Sequence, residues 1–149
     1  LVVRIYLDAC TINRLTDDQS QARVVAEAEA LTRILDLISA EQAIWIASPA
    51  VYSELARNPD EAKRDTALAA LSFASELIHP SLSTTRLTAQ LRAAGFGAFD
   101  ALHLALATEA GATALLTVDD RFIRRSSRLR SGLTPAVLNP IDWLNRRPR

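Results

Sequence analysis

The chain has 149 residues, enough for one domain with one sizeable core. Its 49% hydrophobic and 23% charged content is that of a globular protein rather than a disordered or membrane-embedded one. No apolar run approaches the ~20 residues that cross a bilayer. The stretch before Asp8 is too short for the apolar core of a signal peptide. The expectation is therefore a single domain over residues 1–149, no membrane segment and a cytoplasmic location. The single Cys10 cannot form an internal disulfide, which agrees with a reducing compartment. Net charge is zero but unevenly spread: from Arg121 onward eight arginines meet one acid, Asp142. A basic end on an acidic body suits a polyanion, although on charge alone a solvated helix face with an arginine-rich tail is the better reading.

In chain order, residues 2–7 are β-branched and apolar and predict a buried strand. Residues 21–40 predict a long helix, because Val24, Ala28, Leu31, Leu35 and Ile38 recur at helical spacing without Gly or Pro. Asp17 and Asp18 stand where they can cap it. Residues 43–47 predict a second strand. Ser48 then caps a helix with Pro49 at its first position, ending near Asn58-Pro59. Pro59 opens an alanine-rich helix to about Ser75. A weak third strand at 77–79 is closed by Pro80, and helices follow at 83–93 and 99–110, stopped by Gly95 and Gly111. A fourth strand at 114–117, a short helix at 119–125, a fifth strand at 135–138 and a helical turn at 141–145 complete the chain. Strands separated by helices imply a three-layer α/β/α sandwich with a five-stranded parallel sheet, order 3-2-1-4-5, and no linker or repeat.

In such sheets ligands bind beyond the carboxyl ends of the strands, where the strand order reverses. Asp8 closes the first strand, Asp119 follows the fourth, Glu54 lies on the helix after the second, and Asp100 opens the helix leading into the fourth. A lone strand-end Asp is usually a helix cap or a turn residue. Four acids at four rim positions are harder to explain that way, because clustered carboxylates repel and raise one another's pKa. A hard divalent cation such as Mg²⁺ or Mn²⁺ removes the conflict, and it can activate water and stabilise charge on a phosphoryl group.

The segments Ile5-Tyr6-Leu7-Asp8, Val51-Tyr52-Ser53-Glu54-Leu55, Phe99-Asp100-Ala101-Leu102-His103-Leu104-Ala105 and Leu115-Leu116-Thr117-Val118-Asp119-Asp120 resemble the four acidic motifs of PIN-domain nucleases, among them the VapC-type toxins of bacterial toxin–antitoxin pairs. The resemblance covers nearly the whole chain in order and spacing. It implies the five-stranded fold, Mg²⁺- or Mn²⁺-dependent cleavage of RNA, and Asp8, Glu54, Asp100 and Asp119 as the metal-site acids. Asn13 and Thr117 match polar positions that often support the site. It also implies a homodimer and, for a toxin, a small antitoxin protein that blocks the site with a basic side chain. The hydroxyl usual after the first acid is absent in Asp8-Ala9-Cys10-Thr11, and Thr11 is the expected substitute. Asp119 is favoured over Asp120 as the fourth acid because it is nearer the strand.

Other residues have more modest readings. His103, three residues after Asp100, is expected as a buried histidine behind the acids rather than as a general base. Cys10 lacks a His–Asn or His–Asp set and reads as a small buried side chain. Ser48 and Ser53 lack the Gly-x-Ser-x-Gly elbow, and Gly95-Phe96-Gly97 lacks the Gly-Lys-Ser/Thr ending of a phosphate loop. Arg57, Arg121, Arg124 and Arg125 flank the acids and could hold RNA phosphates or pair with nearby carboxylates. An aspartyl-phosphate enzyme would need an acid where Cys10 stands, or a lysine after a late strand, and the only lysine is Lys63. The competing reading is an interaction module of the same fold with a weak or idle metal site.

Overall fold

A computed structural model describes residues 2–130 and 132–147. Five strands pair in parallel in the order β3-β2-β1-β4-β5: β1 is Val3–Leu7, β2 Ala43–Ala47, β3 Glu76–Leu77, β4 Ala114–Leu116 and β5 Ala136–Leu138. The chain alternates between these strands and the helices α1 (Ala9–Asn13), α2 (Ala22–Ser39), α3 (Pro49–Ala56), α4 (Glu61–Leu71), α5 (Leu82–Ala93), α6 (Ala98–Glu109), α7 (Asp120–Ser126) and α8 (Pro140–Arg146). This is the expected α/β/α sandwich and the expected strand order.

The central strand shows why the sheet must be covered on both faces. Ile5, Tyr6 and Leu7 are all fully buried, so side chains pointing to opposite faces both enter the core. Leu31 and Ile34 of α2 and Leu104, Ala105, Leu106 and Ala107 of α6 supply packing partners. Helix α6 is apolar on nearly every side, as suits a helix enclosed by its neighbours.

The register places the site. Leu7 pairs with Leu116, and the Asp8 N–H donates to the Leu116 carbonyl at 2.9 Å. The chain leaves β1 towards β2 on one side and reaches β4 on the other, so the crevice of the order reversal opens beside Asp8.

Three local expectations need correction. The third strand is Glu76–Leu77 rather than 77–79, an exposed two-residue edge where Leu77 has little apolar cover. Helix α1 was not expected; Asp8 caps it by accepting from the Ala9 N–H, and five residues are too few to show a periodicity. Asp17 and Asp18 do not cap α2, whose N-cap is Gln21. Asp17 pairs with Arg14 and Asp18 accepts from the Ser20 N–H. The expected basic tail from Arg146 runs beyond the described residues at Arg149.

Candidate metal centre

The crevice is a cleft of ≈ 390 Å³ lined by Asp8, Cys10, Glu54, Arg57, Phe99, Asp100 and Asp119. The four acids singled out in the sequence meet here, each carried by a different part of the fold. Asp8 ends β1, Glu54 sits on α3, Asp100 lies in the first turn of α6, and Asp119 caps α7 just past β4.

Asp8 is the most enclosed, at 5% exposed. Its Oδ1 accepts from the Ala9 N–H at 2.8 Å, and its Oδ2 accepts from the Thr117 hydroxyl at 2.9 Å and the Cys10 thiol at 3.4 Å. Burial raises its pKa and the Glu54 charge adds to this, against the opposing pull of His103 and the Thr117 hydrogen bond. Among the described residues the Asp100 carboxyl has no hydrogen-bond partner, and its pKa is pushed up to about 6, first by burial and then by the charges of Asp8 and Asp119. Asp119 commits Oδ1 to the Arg121 and Phe122 N–H groups of α7 and leaves Oδ2 without a hydrogen bond. Among the described residues, none of the four forms an ion pair with arginine or lysine.

Among the described residues, the basic partner of these acids is His103, which is fully buried. Its Nε2 lies 2.6 Å from Glu54 Oε1 and 3.8 Å from Asp8 Oδ1. Its Nδ1 lies 2.7 Å from the Tyr6 hydroxyl, which is itself 2.6 Å from Ser48 Oγ. Burial opposes the imidazolium, but the Glu54 hydrogen bond and the charges of Asp8, Glu54 and Asp100 outweigh it, so the pKa is raised. Ligand atoms from Asp8, Glu54 and His103 lie within 4.8 Å of one another, a spacing that suits one cation.

The donor set fits a hard divalent ion. Oxygen dominates it, and burial together with the neighbouring carboxylates raises Asp8 and Asp100, a penalty on their charged forms that a bound cation would offset.

The remaining residues fall into place unevenly. Thr117 is in direct contact with Asp8 and also accepts from the Asp119 N–H, so it ties two of the acids together. Thr11, the expected substitute for the missing hydroxyl, instead donates to the Leu116 carbonyl at 3.0 Å and pins α1 to β4. Cys10 lines the cleft and contacts both Asp8 and Thr117, so it occupies the place the sequence reading sought for Thr11. Burial and the Asp8 charge push its thiol up, which keeps it neutral. Asn13 does not line the cleft, and its buried Oδ1 has no hydrogen-bond partner. Asp120 turns away to a two-bonded pair with Arg23. Arg121 and Arg124 are exposed on α7, while Arg125 donates to the Gly95 carbonyl.

Sequence reasoning underrated Tyr6 and Ser48, which stand 97 and 55 positions from His103 in the chain, too far apart for any local motif. The apolar run of β1 could at least have flagged Tyr6, because a buried phenol needs a polar partner.

A family model described as the PIN domain matches residues 5–127. Three solved structures share the fold. VapBC2 from Rickettsia felis, bound to a DNA fragment from its promoter, aligns with a TM-score of 0.61 at 15% identity, covering 92% of this chain and 98% of that one. VapC20 from Mycobacterium tuberculosis, a Sarcin-Ricin loop cleaving toxin, aligns with a TM-score of 0.58 at 14% identity, covering 88% and 99%. PAE2754 from Pyrobaculum aerophilum aligns with a TM-score of 0.55 at 17% identity, covering 95% and 86%. A search of curated protein sequences finds no match to this chain.

Proposed function

Because the chain belongs to the PIN-domain family, a family of nucleases, we propose that it is an Mg²⁺- or Mn²⁺-dependent endoribonuclease that hydrolyses RNA phosphodiester bonds in the acidic cleft. One observation carries the reading: four carboxylates from four elements share one cleft, and among the described residues no arginine or lysine pairs with them. Asp8, Glu54, Asp100 and Asp119 would hold the ion. When bound, it supplies an activated water and a positive charge for the phosphoryl oxygens.

The chain's own residues prepare that site. Thr117 and the Ala9 N–H fix the Asp8 carboxylate, and His103, braced by Tyr6, orients Glu54. Asp119 serves as the fourth acid; Asp120 holds the start of α7 through Arg23. Thr11 and Asn13 support from farther out, Thr11 by fixing α1 against β4. Arg121, Arg124 and Arg125 would hold the RNA backbone beside the acids, contacts that position without reading sequence.

The printed names of VapBC2 and VapC20 motivate two further parts of the proposal. The protein acts as a homodimer and as the toxin of a toxin–antitoxin pair, and a small antitoxin blocks the cleft with a basic side chain.

The test is to map cleavage sites on total RNA with Mn²⁺ and with EDTA, using the parent and Asp8→Asn. Defined new ends that appear only with Mn²⁺ and only in the parent are the expected result. Equal cleavage in EDTA, or by Asp8→Asn, would overturn the assignment. No cation-dependent cleavage at all would leave an interaction module with an idle site.

A further inference from the structure

Beside the acids the same cleft has a wall of different chemistry. Phe99, the residue before Asp100, is 39% exposed although it is apolar. Arg57, the C-cap of α3 one turn beyond Glu54, is exposed, and its guanidinium carbon lies 5.1 Å from the centre of the Phe99 ring. Both line the cleft. The Arg57 guanidinium makes no hydrogen bond or ion pair among the described residues, although Glu54 is three positions away on its own helix. It is set on the ring instead of on an acid. Beneath, Phe99 lies over His103, with ring centres 6.3 Å apart and planes inclined at 29°, and His103 is fixed by Glu54 and Tyr6. The aromatic is thus braced by His103 and carries the Arg57 guanidinium, and the pair is exposed to the cleft.

We propose that the Phe99–Arg57 pair is a nucleobase subsite: the base next to the scissile phosphate stacks on this pair. The inference rests on the ribonuclease reading and names its substrate class as single-stranded RNA. Four carboxylates offer a nucleotide nothing but repulsion for its phosphate and no apolar surface for its base. The Phe99–Arg57 wall supplies that surface within the same cleft. A base can present its face here only when it is unpaired and unstacked, as in a loop or a single-stranded tail; an A-form duplex keeps its faces covered. Stacking on an aromatic ring or a guanidinium plane accepts any base, so the subsite selects strandedness rather than sequence.

The experiment uses single-stranded RNA carrying 2-aminopurine, and the same RNA as a duplex, with Mn²⁺ and the non-cleaving Asp8→Asn protein. Affinity is read by anisotropy and stacking by 2-aminopurine quenching. Phe99→Leu should weaken single-strand binding by roughly 5- to 150-fold and abolish the quenching. Phe99→Trp should restore both, which a packing role alone would not require. Arg57→Ala should weaken binding less, and duplex RNA should bind poorly to every variant. Parent-like binding and quenching by Phe99→Leu, or equal affinity for the duplex, would overturn the subsite. With cation-dependent cleavage of RNA by the chain without Asp8→Asn, that outcome sinks the subsite and leaves the nuclease reading standing. With neither binding nor cleavage of any RNA, both fail.

Discussion

Two groups of acids lie close to the ends of β1 and β4, and they are treated in opposite ways. Glu27, on α2, is fully buried, and its carboxylate accepts from Arg14, Arg23 and Asn139. The two arginines go on to pair with Asp17 and Asp120, so positive and negative groups alternate through the network. In the cleft, four carboxylates stand together, only Glu54 and Asp8 lie within 4 Å of His103, and two of the four are pushed towards protonation. A buried charge that is fully answered by its neighbours is part of the structure. A group of like charges left unanswered costs stability, and such clusters mark sites kept for a ligand.

The largest effect that separates the two groups should come from Glu27→Ala. Removing the acid that Arg14, Arg23 and Asn139 share breaks three hydrogen bonds to one buried carboxylate, leaves each arginine only its outer partner, Asp17 or Asp120, and should cost about 3–5 kcal/mol. Urea unfolding in EDTA measures it. A loss below 1 kcal/mol would mean that solvent, not Glu27, satisfies these arginines.

Next comes Asp8→Asn, which removes a carboxylate without changing shape. RNA cleavage should fall at least ~100-fold, equivalent to about 2.7 kcal/mol of barrier, while the far-ultraviolet circular dichroism spectrum stays that of the parent. Cleavage within a factor of three of the parent would place the metal centre elsewhere.

Asp100 gives a smaller effect of opposite sign to Glu27. Its folded pKa, about 6, is raised above the unfolded value. The folded state therefore holds the proton more tightly, and this contribution to stability is present at low pH and lost as pH rises through about 6. In metal-free protein, Asp100→Asn should raise stability at pH 7.5 and give no such gain near pH 3.5. The carboxyl is half exposed, so solvent screening limits the gain to about 1 kcal/mol. Melting temperatures of both proteins at the two pH values in EDTA provide the check, and a destabilised Asp100→Asn at pH 7.5 would contradict the repulsion.

The smallest effect belongs to the exposed arginines of α7. Each of Arg121→Ala and Arg124→Ala should flatten the salt dependence of RNA binding by roughly 0.7 in slope. Unchanged slopes in both single variants and the double variant would show that RNA enters from another side.

The sequence made some of these features legible and hid others, for physical reasons. Asp8, Asp100 and Asp119 stand at strand ends and helix starts, and Glu54 on the helix after the second strand, places that the strand–helix alternation locates without coordinates. The order of the sheet followed from bringing Asp8 and Asp119 together, and the register of β1 on β4 does so. Helix α1 escaped because five residues hold no period, and its appearance changes the role of Thr11: the turn directs that hydroxyl to Leu116 and leaves Cys10 facing Asp8. The Tyr6–His103–Glu54 relay joins three elements that only the fold assembles. Glu27 read as one more polar residue of a long helix; its burial depends on Arg14 and Asn139, which arrive from outside that helix. Arg57 could be read from sequence as a phosphate ligand or a partner of Glu54, and its seat on Phe99 is visible only in three dimensions.

Among the described residues the cleft acids have no arginine or lysine partner, which leaves them for a cation. Titration calorimetry of the metal-free protein with Mn²⁺, beside Asp8→Asn under the same conditions, addresses this directly. The account predicts saturable binding of at least one Mn²⁺ per chain by the parent, and a loss of at least tenfold in affinity for Asp8→Asn. Failure of the parent to bind Mn²⁺, or binding of equal strength by both proteins, would contradict it.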